Sequence, residues 1–556
     1  MAAKSACRVA ALVAVLVHGA ATAQSDAPPA SLPTFAELEA QAAVIGRIVV
    51  RPEQIFDLDD PRENRFLYRL ANRLHVRTRP EVIERQLLFK PGDFVSLRVI
   101  NETERVLRAN SYLQDVQIRP LDYRDGVVDI EVTTRDTWTL QPAISAARVG
   151  GVNSYRASIR DRNVAGSGAS VGLSYSSNVD RAGTELSYQD NNLFGTHTAL
   201  AATLANLTDG EQWAFSLAQP FYSLDTRRAG GIAASHGDVV TNLYEQGVRV
   251  AQYRTVSDAW DGYAGWSAGR IGSWSQRYSA GVSHSATSYL VNEGDLPAPR
   301  LPPEVILTGP YLRYEAIEDV FEKVQNRNQI GKAEFFAMGL QGRMQLGYSL
   351  GGLGSTENSW LYAASASKGF GAARGRALLV NVGVSGRLND RTVRNQLFSG
   401  AARYYLPQGP NALFIMALSG DSYRNPDVPA PLQIGGDTGL RGYPLSFQSG
   451  DRRALLTFEE RVYTEWHPYR LFRVGGAVFF DAGRAWGGTP DATPLPGTQS
   501  PENRALGTLT DWGFGLRVAD SRSSYGSVLH ADLAFPLNAR DQVRSVQFIL
   551  KSQTSF

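Results

Sequence analysis

Hydrophobic and polar positions alternate with a period of two through most of this chain. The last segments are the clearest. Trp512, Phe514, Leu516 and Val518 alternate with Gly513, Gly515 and Arg517. Leu529, Ala531, Leu533 and Phe535 alternate with His530 and Asp532, and Val546, Phe548 and Leu550 with Gln547 and Lys551. Residues two apart share one face of a strand, so each segment predicts a strand with one apolar face and one polar or small face. The pattern begins near Trp138. So many one-sided strands satisfy their backbone in lipid only by closing the sheet. The expectation is therefore a transmembrane antiparallel β-barrel over residues 137–556, apolar faces to lipid and polar faces to the lumen.

Turn composition orients the barrel. Asp161-Arg162-Asn163-Val164-Ala165-Gly166-Ser167-Gly168 and Asp190-Asn191-Asn192-Leu193-Phe194-Gly195-Thr196 repeat one turn type about 28 residues apart, which fits one up-and-down strand pair. Longer polar or Pro-rich loops at 292–304, 423–439 and 488–504 are expected at the outer end. Five strands are expected after residue 443, beginning near Leu455, Arg473, Asp511, Ser527 and Val543, with about 15 before it.

Residues 44–136 read differently. Val44 to Val50 predicts a short strand. Arg62 to His75 places Phe66, Leu67, Leu70 and Leu74 at helical spacing. Pro80 suits a first helical turn, and Lys90-Pro91-Gly92-Asp93 ends that short helix. Ser96 is the expected N-cap of a longer helix carrying Leu97, Ile100, Val106 and Leu107. Asp115 to Arg119 and Val127 to Thr133 predict two strands joined by an Asp125-Gly126 hairpin turn. This is a small α+β unit ahead of the barrel.

The first 23 residues read as a secretory signal peptide: Lys4 and Arg8, an apolar core from Val9 to Val17, and the small-residue site Ala21-Thr22-Ala23. Residues 24–43 read as a linker, with Pro28, Pro29 and Pro33 and no periodicity. Cleavage after Ala23 removes Cys7, the single cysteine, which excludes disulfides, thiolate metal sites and a Cys nucleophile. A formal net charge of +2 over 556 residues gives no reason to expect a nucleic acid partner. Plentiful Gly (53), Tyr (23), Phe (23) and Trp (9), with no run of about 18 apolar residues, agrees with membrane strands rather than membrane helices. No catalytic motif, phosphate loop or metal-ligand set occurs, so neither an enzyme nor a cofactor or metal site is expected.

The candidate chemistry lies in Gly435-Gly436-Asp437-Thr438-Gly439-Leu440-Arg441-Gly442-Tyr443, between two alternating runs. Glycines let the backbone turn back tightly, and an arginine at such a tip can reach inward to a carboxylate. Gly439 and Gly442 flank Leu440-Arg441. Farther on come Phe479-Phe480-Asp481-Ala482-Gly483-Arg484 and a final Phe556.

That order resembles the BamA/TamA-type outer-membrane assembly family, which is related to the two-partner secretion transporters. "Leu-Phe-Lys-Pro-Gly-Asp", "Val-Leu-Arg-Ala-Asn-Ser-Tyr-Leu-Gln-Asp-Val" and "Val-Val-Asp-Ile-Glu-Val" in residues 44–136 are similar to a polypeptide-transport-associated (POTRA) domain. A single such unit, and the 62–75 insertion, depart from the family pattern. The resemblance implies a lid loop, Gly439-Leu440-Arg441-Gly442-Tyr443, folded into the lumen with its arginine on a wall acid. Alternation puts Asp481 on the face of Ala477, Phe479 and Gly483, and so in the lumen. Glu459, beside Thr457 and Arg461, is the second candidate, with Glu460 in its place if a bulge shifts the face. Phe556 resembles the terminal aromatic signal of barrel substrates. The resemblance implies about sixteen strands and the segment count about 20. Both are even, so the expectation is about 16–20.

The function so implied is insertion or translocation of polypeptides at the bacterial outer membrane, with the POTRA unit in the periplasm. The partners would be outer-membrane lipids, unfolded or partly folded polypeptide clients, and periplasmic chaperones or lipoproteins. The alternatives are a two-partner-type secretion transporter, and a passive channel or anchor without assembly activity.

Overall fold

The computed structural model describes residues 32–149, 151–245, 247–292, 301–330, 333–428, 432–487, 506–521 and 528–553. The expected signal peptide and Phe556 lie outside the described residues.

Twenty strands close into one antiparallel barrel. Fifteen, from Leu140–Val149 to Ala412–Arg424, precede the Arg441 loop. Five follow it, at Arg452–Tyr463, Phe472–Trp486, Leu509–Asp520, Val528–Pro536 and Gln547–Gln553. The last begins at Gln547 rather than near Val543. The alternation has the expected phase: Trp512, Phe514 and Leu516 face outward, while Asp511 and Arg517 are buried inside. Outward apolar side chains around a closed sheet make this a membrane-spanning barrel.

The small unit precedes the barrel. Its elements are α1 (Phe35–Ala40), β1 (Val44–Glu53), α2 (Phe66–Leu74), α3 (Pro80–Glu84), α4 (Leu97–Arg108), β2 (Leu113–Arg124) and β3 (Val127–Asp136). β3 is central, parallel to β1 and antiparallel to β2. Asp125 and Gly126 both have positive φ, +50° and +79°, as a two-residue hairpin turn matched to strand twist requires. Ile83, Ile100, Leu107, Val128, Ile130 and Val132 form the core.

Two expectations change here, and one helix has an unexpected surrounding. Residues 24–43 are not wholly linker, because α1 lies among them and Leu38 is buried in the unit's core. A capping box starts that helix, Thr34 bonding reciprocally with Glu37. Ser96 is the N-cap residue of α4, but its side chain makes no capping hydrogen bond. The stripe on α2 does not face the core. Tyr68 and Asn72 point inward, whereas Phe66, Leu67, Leu70 and Leu74 are exposed.

The unit is docked on the turns at one end of the barrel, here called proximal. The two repeated turns share one conformation: Ala165 and Phe194 have φ of +51° and +53°, each followed by a glycine at +72°. Asp161 and Asp190 each accept the backbone N–H two residues on, at 3.0 and 2.8 Å. Asn163 in the first turn bonds Thr78 at 2.8 Å, and Thr78 in turn bonds Asp136 at 2.8 Å. Arg98 pairs with Asp225 at 2.6 Å, and Glu102 accepts the N–H of Leu224 at 2.7 Å. The loop that follows Ala412–Arg424 leaves the opposite, distal end, whereas most of the loop expected at 292–304 and all of that expected at 488–504 lie outside the described residues.

Candidate functional site

The loop after the fifteenth barrel strand enters the lumen from the distal end. Leu432–Ile434 and Gln448–Gly450 pair as a short stem. Ile434, Leu440, Tyr443 and Phe447 pack with Ala485 and Leu509 of the wall. Burying those apolar side chains holds the tip against the wall. Gly439 has φ +102°, and a Cβ there would lie 2.3 Å from Leu455 Cδ2. Gly442 is needed for a different reason. Its φ is ordinary, but a Cβ would lie 2.7 Å from the Cβ of Asp511. Leu440 has φ +56°, a left-handed residue with a side chain, kept there by its burial.

This turn delivers Arg441 to the wall. Its Nε and Nη2 donate to the two oxygens of Asp481 at 2.7 and 3.0 Å, a bidentate fork. Its Nη1 donates to Glu459 at 2.9 Å and lies 3.5 Å from Asp532. The guanidinium stacks over Phe479, 3.3 Å from the ring centroid. The Gly442 N–H donates to Asp511 at 3.0 Å. The Tyr443 hydroxyl is 2.8 Å from the Thr510 carbonyl and also contacts the Asn538 side chain. The structure thus brings Arg441 together with both Asp481 and Glu459. Glu460 lies on the outward face, and the strand has no bulge to exchange it with Glu459.

Sequence reasoning named half of this constellation. Glu459 also accepts from Arg461 at 2.8 Å and from Arg517 at 3.1 Å, and Arg517 pairs with Asp532 at 2.5 Å. Arg461, Arg517 and Asp532 were visible as polar positions on lumenal faces, but not as partners. Their signal was a run of charged inward residues on four successive strands. The result is three guanidiniums facing three carboxylates, all nearly dry. Such a cluster costs desolvation and holds only while every member is paired.

A second insertion comes from the proximal end. Phe321–Gln325 and Ala333–Ala337 form a hairpin. Val324, Ile330, Phe336 and Met338 pack on Tyr405, Leu413 and Ile415 of the wall. The Tyr405 hydroxyl donates to Asn328 at 2.9 Å, and Arg461 Nη1 donates to the Arg327 carbonyl at 3.3 Å. Arg461 therefore touches both the distal lid, through Glu459, and the proximal hairpin. The hairpin is also tied to the N-terminal unit: Lys323 pairs with Glu104 at 2.8 Å, and Arg105 lies over Phe321 at 4.4 Å. An unbroken series of contacts runs from α4 through the hairpin and Arg461 to Arg441.

Strand β2 is an edge of its sheet. It lines a groove of about 970 Å³ between the N-terminal unit and the proximal mouth, with Lys323 and Gln329 of the hairpin on the other side. At the barrel seam, Leu550 opposite Arg148 is the one paired position between first and last strands among the described residues.

No family model and no curated protein matches this chain. Among solved structures it is similar to CdiB from Escherichia coli (13% identity, 91% of this chain and 76% of that one, TM-score 0.45). It is also similar to CdiB from Acinetobacter baumannii (13% identity, 92% and 74%, TM-score 0.42). BamA from Haemophilus ducreyi lacking POTRA domains 1–3 is a third (14% identity, 91% and 84%, TM-score 0.35).

Proposed function

We propose that this chain is an outer-membrane protein that inserts or translocates polypeptides, with the N-terminal unit in the periplasm. The observation that carries the reading is the doubly closed lumen: a lid loop and a proximal hairpin meet on one buried charge cluster, beside an open sheet edge at the mouth. A barrel meant only as an anchor has no use for a paired gate that costs desolvation to build. An incoming extended chain pairs with the free edge of β2, where main-chain hydrogen bonds give affinity without sequence preference. From there it reaches the hairpin, which touches both α4 and Arg461. Displacing the hairpin removes one support of Arg461 and loosens Glu459, the residue shared with Arg441. No catalytic group or cofactor is required.

The narrow seam favours insertion, since a strand already short of partners exchanges them at low cost. The lumen closed from both ends favours a second reading, a dedicated two-partner-type transporter that passes an exoprotein through the pore. Depletion followed by outer-membrane proteomics distinguishes them. Loss of many barrel proteins supports insertion, and loss of one secreted product supports the transporter. An unchanged proteome with measurable ion conductance would leave a passive channel. Deleting residues 32–136 should leave a folded barrel without activity. Full activity of that variant would make the N-terminal unit a spacer.

A further inference from the structure

Helix α2 is amphipathic, docked, and turned the wrong way for a soluble domain. One side is anchored: Tyr68 stacks on Phe56 at 4.5 Å and donates its hydroxyl to the Tyr469 carbonyl in a proximal barrel turn at 2.7 Å, and Asn72 bonds the Phe56 backbone. The other side carries Phe66 (68% exposed), Leu67 (70%), Leu70 and Leu74 (65%). Exposing four large apolar side chains on little more than two helical turns is costly in water. Beside this stripe stand Arg65, Arg69 and Arg73, all exposed, and the helix contains no acidic residue. Among the described residues none of the three makes an ion pair with an acid.

The position of the stripe says what covers it. α2 lies against the outer wall of the barrel, across a groove of about 1420 Å³ that Phe66 and Leu67 share with Tyr155, Ile159, Leu173 and Leu529. Those four are outward-facing residues of the second, third and nineteenth barrel strands, close to the seam, so the helix face continues the lipid-facing belt. Tyr469, which anchors the helix, and Trp466 beside it are themselves exposed at the proximal rim. Aromatic residues take that level at a membrane interface. An apolar face in plane with the belt, flanked by arginines, is the pattern of a helix lying in a headgroup layer.

We propose that α2 is an interfacial anchor. It buries Phe66, Leu67, Leu70 and Leu74 in the proximal leaflet beside the barrel seam, and Arg65, Arg69 and Arg73 bind anionic phospholipid headgroups. The inference needs only that the barrel spans a membrane, and it stands apart from the insertion or secretion reading. Its consequence is that the N-terminal unit is held to the bilayer next to the first and last strands, and the local lipid is perturbed at the seam.

The test uses the full chain in a Cys7→Ser background, which leaves no other cysteine. Leu67→Cys and, separately, Leu70→Cys are labelled with an environment-sensitive dye and reconstituted in phosphatidylcholine vesicles with and without phosphatidylglycerol. The expected result is quenching by doxyl-labelled lipid, protection from aqueous iodide, and stronger lipid quenching when phosphatidylglycerol is present. Replacing Arg65, Arg69 and Arg73 with Gln should lower the ratio of lipid-contacting to water-exposed helix about fivefold for each arginine removed on the anionic vesicles. Iodide access without lipid quenching would overturn the anchor, as would protection from both quenchers, which means protein covers the face. Equal quenching with and without phosphatidylglycerol would overturn the anionic-headgroup assignment. Heat-modifiable migration of each labelled protein confirms that the barrel is folded in every comparison.

Discussion

Removing Arg441 should be far more damaging than removing the acid it binds best, and the asymmetry follows from who else each partner has. Asp481 receives both its ionic hydrogen bonds from Arg441, at 2.7 and 3.0 Å, and pairs with no other cation among the described residues. Arg441→Ala therefore strands a buried carboxylate and removes the cation over Phe479, an expected loss of about 3–5 kcal/mol. Asp481→Ala leaves Arg441 bonded to Glu459 at 2.9 Å, so the loss is nearer the roughly 1.5–3 kcal/mol of a charged hydrogen bond. In the double variant neither charge is stranded, so it should be less harmful than Arg441→Ala alone, and the coupling should exceed roughly 1.5–3 kcal/mol. Arg441→Lys keeps the charge but not the fork and should restore only part of the loss. The assay is a double-mutant cycle on the temperature at which the unheated gel form converts to the heated form. Cell entry of large antibiotics serves as a second readout of lumen opening. Strict additivity, or Asp481→Ala as harmful as Arg441→Ala, would refute the reasoning.

Other outcomes are expected. Gly439→Ala puts a Cβ at φ +102° within 2.3 Å of Leu455 and should release the lid, at a cost of about 1–3 kcal/mol, seen as a lower conversion temperature. Glu334 accepts three backbone N–H groups at the hairpin tip, from Arg327, Asn328 and Gln329, yet burial pushes its carboxyl above the usual range. A raised carboxyl binds its proton more tightly in the folded hairpin, so hairpin stability should rise as pH falls through that raised value and level off below the ordinary 4.5. Hydrogen exchange of residues 321–337 measures this, and Glu334→Gln should flatten the profile. Deleting 321–337 should raise single-channel conductance, because the proximal insertion is lost; an unchanged conductance would show that the hairpin does not obstruct the lumen. The chain should fractionate with outer membranes and migrate faster unheated than boiled, and a soluble product with one mobility would oppose the membrane reading.

The period-two pattern by itself determined which residues of the last five strands meet lipid and which meet the lumen. That is a local property: a strand turns over at each residue, and lipid accepts only apolar side chains. The same rule put Asp481 and Glu459 inside and left Glu460 outside. The glycines at 439 and 442 marked a tight loop, although only geometry separates the backbone need at Gly439 from the close approach at Gly442. Twenty strands rather than sixteen was legible only as a range, because short segments count equally as wall or loop until hydrogen-bond register closes the sheet. Register also decided the charge cluster. Arg461, Arg517 and Asp532 are ordinary lumenal residues in sequence, and only the stagger of four strands brings them to one point. The hairpin 321–337 has no clear alternation in sequence, and only the tertiary structure packs its Val324 and Phe336 on Tyr405, Leu413 and Ile415. The stripe on α2 was legible as a helix only, because periodicity states that a helix has an apolar side and is silent on what that side meets. Here that was settled by Tyr68 and Asn72 docking beside the barrel, which left Phe66, Leu67, Leu70 and Leu74 turned away from the protein interior.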